Sequence, residues 1–339
     1  MYLFTKTVFS SCPNEDYCRY MTILGLFTLF VQIFVAVMLL KKWKTTKSSY
    51  TRFLAVVRTC HIFMNLLCFV IGEIRTLLPR KTIICYGIIR YLGDYGCSIS
   101  LSLIILLILF ELFAVVYAFN GQYNIMCRKV GFYDNTLIQN INFIIFLINS
   151  FVAFFILNFS LLSREEGINL WYTSDKTMQL YLKEYHAIIT YGGAKDYLLF
   201  IFILFVAFPI ITSGIHYFII IKTMIKFIRQ LQEHNKQTSI KNDYVIELKN
   251  HIANALLPFI FLFWPFLYCV IVLIFFYDEK YYWFTEPTTN TITFFVIIYA
   301  LVSASYVIFF KYRSIKRKKR IKIRKNTLFK PNIMKTRST

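Results

Sequence analysis

Arg58, His61 and Asn65 fall at i, i+3 and i+7 of an apolar stretch, and Glu111 lies inside another. At helical periodicity the first three share one face. Ionisable groups surrounded by hydrocarbon are costly unless they pair or meet water, which makes each a candidate for function. The chemistry on offer is charge pairing: Glu111 is expected to pair with Arg58 or His61 across two helices. Such a polar switch cluster holds one arrangement of the helices and breaks in another. The alternative is that Arg58 snorkels to the membrane surface while His61 and Asn65 hydrogen-bond neighbouring helices.

Bond-making chemistry finds little support. There are no paired carboxylates, no metal-ligand spacing, no glycine-rich phosphate loop and no nucleophile motif. His186, His216, His234 and His251 stand alone. No catalytic residue, metal or cofactor is expected, and the chain is not read as an enzyme.

The elements that carry these residues are seven apolar stretches: Tyr20–Leu40, Phe53–Gly72, Gly93–Phe119, Leu137–Leu162, Tyr197–Ile221, His251–Tyr277 and Thr291–Phe310. A helix needs about 20 residues to cross a hydrocarbon core of about 30 Å. Only helices satisfy their own backbone groups in lipid, so the sequence predicts an all-α bundle of seven transmembrane helices. Hydrophobic residues make up 58% of the 339 and charged residues 16%, against about 25% charged in soluble domains. With no internal repeat or linker in view, residues 1–310 read as one domain and 311–339 as a basic tail. From the ends of the second and third stretches, Arg58 is expected about 7–8 Å deep and His61 and Glu111 about 12 Å.

Orientation follows from the basic residues. With the N-terminus outside, the four inner segments carry 26 Lys and Arg and the four outer ones 11. Positive residues concentrate on the cytoplasmic side, so the N-terminus is expected outside and the C-terminus inside. That bias also accounts for the net charge of +21 without nucleic acid. Lys311–Lys325 holds ten basic residues in fifteen, suited to anionic inner-leaflet lipid or to a cytoplasmic partner.

Four of the eight cysteines, Cys12, Cys18, Cys85 and Cys97, face or approach the oxidising exterior. One or two disulfides tying the N-terminal segment to the top of the third helix are expected, with the pairing open. Cys60, Cys68 and Cys269 lie within helices as small apolar residues. The sequon Asn158-Phe159-Ser160 falls inside the fourth helix, too deep for a glycan.

Pro209 in the fifth stretch and Pro258 and Pro265 in the sixth remove helical hydrogen bonds. With Trp264 beside the last, they form a candidate hinge, the alternative being static packing. Beyond the fifth stretch, Met224, Phe227, Ile228 and Leu231 continue an apolar stripe while Lys222, Lys226 and Arg229 are its polar neighbours. The helix should therefore run on into the cytoplasm and offer a surface to a partner.

Three places resemble the nematode serpentine chemoreceptors, in particular the Sra/Sre-type superfamily. One is His61-Ile62-Phe63-Met64-Asn65-Leu66. Another is Cys85 and Arg90 followed by Glu111-Leu112-Phe113-Ala114, similar to a Glu-Arg-x-x-Ala signature. The third is Tyr244 through Asn250 with Leu257-Pro258. Leu112 stands where the signature has Arg, the outer loop after the fourth helix has no cysteine, and the seventh helix lacks Asn-Pro-x-x-Tyr, keeping Tyr306. The resemblance implies a G-protein-coupled receptor for small environmental molecules at sensory-neuron cilia, signalling through a heterotrimeric G protein by movement of the fifth and sixth helices. A ligand would meet mostly aromatic and small hydroxyl groups, among them Ser98, Ser100, Tyr268 and Thr293. A transporter or an odorant- or taste-gated ion channel is the competing reading.

Overall fold

The computed structural model of the chain describes residues 15–46, 49–78, 80–127, 136–170, 187–233, 256–257, 260–261, 264–276, 291 and 294–309. Cys12, Pro258, Thr293, the Tyr244–Asn250 segment, the basic tail and His186, His234 and His251 lie outside them.

Helix α1 spans Glu15–Thr46 and α2 Ser49–Asn65, which continues as a π-turn over Leu66–Ile71. Helix α3 spans Gly93–Cys127 and α4 Thr136–Phe159, followed by the short α5, Arg164–Leu170. The fifth apolar stretch is α6, Asp196–Glu233, and the last two contain α7, Trp264–Phe275, and α8, Phe294–Phe309. Among the described residues, five helices are long and apolar enough to cross a membrane, and α8 is a shorter apolar helix. Large apolar side chains such as Phe30, Ile145, Phe155, Phe208 and Phe218 point outward, as they do where the surrounding solvent is hydrocarbon.

Helix α1 packs along α2, α2 on α3, α3 on α4 and α6, and α4 on α6. The inward stripe of α1 is Thr28, Gln32, Val35, Ala36 and Leu39, spaced as one helical face. Val35 and Leu39 join Ala55 of α2 and Ala304 of α8 in one cluster. Close approach of α1 to the π-turn depends on Gly25, where an added Cβ would stand 2.6 Å from that of Phe69.

One end of the bundle is closed by a sheet, a departure from the purely helical expectation. Strands β1 (Ile74–Leu77), β2 (Thr82–Cys85) and β3 (Ile188–Thr190) form an antiparallel sheet in that order, pairing Ile74 with Cys85 and Ile84 with Ile188. Thr82-Ile83-Ile84-Cys85 and Ile188-Ile189-Thr190 are β-branched runs buried along their whole length, which suits a central strand and its covered neighbour. Runs of four and three residues between long helices are too short to signal strands by periodicity, and the pairing of β2 with β3 joins segments remote in sequence. Leu162 N–H donates to Thr190 O at 3.0 Å, tying the end of α4 to the sheet. Ser163 and Glu166 cap α5 reciprocally: Ser163 N–H donates to Glu166 Oε2 at 2.8 Å and Glu166 N–H to Ser163 Oγ at 3.3 Å. The Ser163 N–H holds this exposed carboxyl below its ordinary range.

A disulfide joins Cys85 at the end of β2 to Cys97 in the first turn of α3, with Cα atoms 5.9 Å apart. The bond therefore ties the sheet to the third helix. This corrects the expected tie from the N-terminal segment to that helix, since Cys85 follows a hairpin that folds back over α3 and uses Cys97 locally.

Candidate functional site

Helix α3 continues past Phe119 to Cys127, and α2 begins at Ser49. His61 thus lies farther from the start of α2, and Glu111 farther from the end of α3, than the apolar stretches imply. Both are fully buried, as are Arg58 and Asn65.

The four residues meet. Arg58 Nη1 lies 3.2 Å from His61 Nδ1, and His61 Nε2 lies 2.7 Å from Glu111 Oε1. Arginine has no acceptor, so Nδ1 must accept and the imidazole proton sits on Nε2, donating to the carboxylate. A neutral histidine therefore bridges a guanidinium and a carboxylate. Direct Arg58–Glu111 pairing is not the arrangement; the imidazole stands between them. Asn65 Nδ2 donates to His61 O at 2.9 Å, anchoring the turn where α2 passes into its π-turn.

Two partners come from α8. Tyr299 donates its hydroxyl to Glu111 Oε1, and its ring meets His61 edge-on at 4.9 Å. Arg58 Nη2 donates to Ser303 Oγ at 2.6 Å and to Ser303 O at 3.2 Å. Helix α1 also reaches α8, as Gln32 Nε2 donates to Ala300 O. Sequence reasoning missed Tyr299, Ser303 and Gln32. Their signal was faint: Thr28 and Gln32 repeat at i, i+4, and Tyr299 and Ser303 do the same.

Tyr299 also stacks on Phe261 of the sixth stretch, ring centroids 6.2 Å apart. The polar chain is thereby in contact with four of the apolar stretches: the second, third, sixth and seventh.

Pro209 lies inside α6. A proline there leaves the carbonyl of residue 205 without its helical donor. Asn149 Nδ2 of α4 supplies one, 3.1 Å from Phe205 O. Of the other candidate hinge residues, Trp264 points outward with 62% exposure and Pro265 is half-buried. Trp264 therefore does not fill the bundle interior. Helix α6 runs on to Glu233, with Met224 fully buried and Lys222, Lys226 and Arg229 exposed.

Near the sheet, Ser98 Oγ donates to Asn158 Oδ1 at 2.8 Å and lies 3.3 Å from Tyr191 Oη, while Asn158 Nδ2 donates to Ser102 Oγ at 3.0 Å. The sequon's asparagine is thus spent on α3, and its Ser160 is fully buried. Burial raises the Tyr191 phenol above its ordinary range, with Ser98 opposing. Ser100 bonds back to Gly96 O at 2.7 Å. The hydroxyls nominated for a ligand on α3 are therefore committed to internal contacts.

No curated protein matches the chain. A family model described as "Serpentine type 7TM GPCR chemoreceptor Srd" matches residues 18–284, and it covers the whole polar chain except its α8 partners. The subgroup is therefore Srd, not the Sra/Sre type that the short motifs suggest; those motifs span too few residues to separate sister groups. The match favours a receptor over a transporter or an ion channel. The chain belongs to the Srd family of serpentine seven-transmembrane G-protein-coupled chemoreceptors.

Proposed function

We propose that the Arg58–His61–Glu111–Tyr299 chain is the lock of the resting receptor, and that an agonist acts by favouring a packing in which it is broken. Family membership makes this protein a multi-pass membrane chemosensory receptor. Its finer reading is as follows. The sheet end faces outside, where small environmental molecules arrive at the cilia of sensory neurons. The opposite end faces a heterotrimeric G protein, and the basic tail lies on anionic inner-leaflet lipid.

The single observation that carries the lock is Tyr299, whose hydroxyl engages Glu111 while its ring stacks on Phe261. Displacement of the sixth helix would pull on that ring, and loss of the Glu111 contact would release it. Orientation rests on the count of 26 against 11 basic residues and on a disulfide at the sheet end, where an oxidising exterior would maintain it. Helices α3 and α6, with 35 and 38 residues, exceed the about 20 needed for a crossing. Their surplus at the end away from the sheet gives a partner something to grip. An agonist shifts such an equilibrium only by its differential affinity for the two packings.

The test needs no known ligand. Glu111→Gln keeps the shape and removes the charge, so basal nucleotide exchange on co-expressed G proteins should rise roughly tenfold for each 1.4 kcal/mol of lost restraint. Unchanged basal exchange in Glu111→Gln and Arg58→Gln, with normal surface expression, would sink the lock.

A further inference from the structure

Lys222, Lys226 and Arg229 repeat at i, i+4 and i+7 and are exposed. They lie on the same line along α6 as Phe200, Phe208, Ile211, Ile215 and Ile219, all of which point out of the bundle. At about 100° per residue the apolar and basic members stay within about 60° of that line. The buried residues Val206, Ile210, Tyr217 and Met224 occupy the opposite side. One face of α6 thus changes from apolar to basic within a single turn.

The lengths match a bilayer. Phe200 to Ile219 spans about 29 Å at 1.5 Å per residue, against a hydrocarbon core of about 30 Å. Lys222 then falls about 5 Å and Lys226 about 10 Å beyond the core edge, the depth of the phosphate layer. A surface aimed at a protein in the middle of the bundle would sit on the Met224 side, which is buried.

We propose that Lys222, Lys226 and Arg229 form a binding stripe for the headgroups of anionic phospholipids in the inner leaflet, not a G-protein contact. Three cations along one face, with apolar side chains directly above them, fit phosphodiester and carboxylate groups whose acyl chains lie against Ile215 and Ile219. Lys and Arg stems extend along apolar surface while their charged heads reach the phosphate layer. The assignment of leaflet rests on the proposed orientation; the lipid preference does not.

The test places a photoreactive benzoylphenylalanine at Ile225, beside the stripe and 38% exposed, in the full-length receptor. Nanodiscs with both leaflets alike contain phosphatidylcholine alone or mixed with phosphatidylserine. The cross-link should favour phosphatidylserine over phosphatidylcholine by about tenfold at equal amounts, since each basic residue near the surface adds attraction. Lys222→Gln/Lys226→Gln/Arg229→Gln should abolish that preference with the basic tail left intact, and Lys222→Arg/Lys226→Arg/Arg229→Lys should restore it. Equal cross-linking to both lipids in the parent receptor would overturn the proposal, as would transfer of the cross-link to a Gα subunit on adding G protein. The readout is independent of coupling, so a receptor that fails every signalling assay still gives an answer here.

Discussion

Asn149 on α4 hydrogen-bonds the carbonyl of Phe205 on α6, at 3.1 Å, one helical turn before Pro209. The proline removes a donor and a neighbouring helix returns one, which is how kinked membrane helices keep their backbone satisfied.

Asn149→Leu should therefore destabilise the receptor by about 1–2 kcal/mol, within the range of interhelical hydrogen bonds in membranes. Thermal unfolding in detergent measures this. In a Pro209→Ala background the helix supplies its own N–H, and the same Asn149→Leu change should cost much less. Additive effects in that double-mutant cycle would refute the compensation.

Tyr299 makes two kinds of contact that substitution separates, its hydroxyl on Glu111 and its ring on Phe261 and His61. Tyr299→Phe keeps the ring on Phe261 and removes the hydroxyl from Glu111, so basal G-protein activity should rise while stability falls by only about 1 kcal/mol. Tyr299→Ala loses both and should lower stability by about 3–5 kcal/mol. If Tyr299→Phe leaves basal nucleotide exchange at the parent level, the hydroxyl has no part in restraint.

Cys85→Ser should lower stability by about 2–4 kcal/mol, the usual worth of a disulfide closing a short loop. A reducing agent should lower the melting temperature of the parent protein toward that of Cys85→Ser and leave the variant unmoved. A further drop in the variant would indicate a second redox-sensitive bond that matters for stability.

Gly25→Ala tests the close approach of α1 to the π-turn. The added methyl would stand 2.6 Å from Phe69 Cβ, and overpacking of this kind costs about 1–3 kcal/mol. Surface expression and melting temperature should both fall. In a Phe69→Gly background, where that Cβ is gone, the same Gly25→Ala change should cost much less, and an equal cost there would place the clash elsewhere.

The sequence by itself determined the membrane-spanning helical class, because uninterrupted apolar stretches in lipid have only the helix to satisfy their backbone. It also marked Arg58, His61, Asn65 and Glu111, since charge inside such a stretch stands out against its surroundings. The order of the chain, guanidinium to imidazole to carboxylate, was decided only by tertiary structure. Which donor reaches which acceptor depends on how α2 and α3 are rotated, and periodicity fixes faces, not partners. Tyr299 and Ser303 were hidden for the same reason: a tyrosine and a serine are ordinary in this composition until α8 brings them to Glu111 and Arg58. The sheet was equally silent, because β2 pairs with a β3 more than 100 residues away and short strands take their identity from such partners. The Cys85–Cys97 bond followed once that hairpin folded over α3 and brought two of the four candidate thiols together.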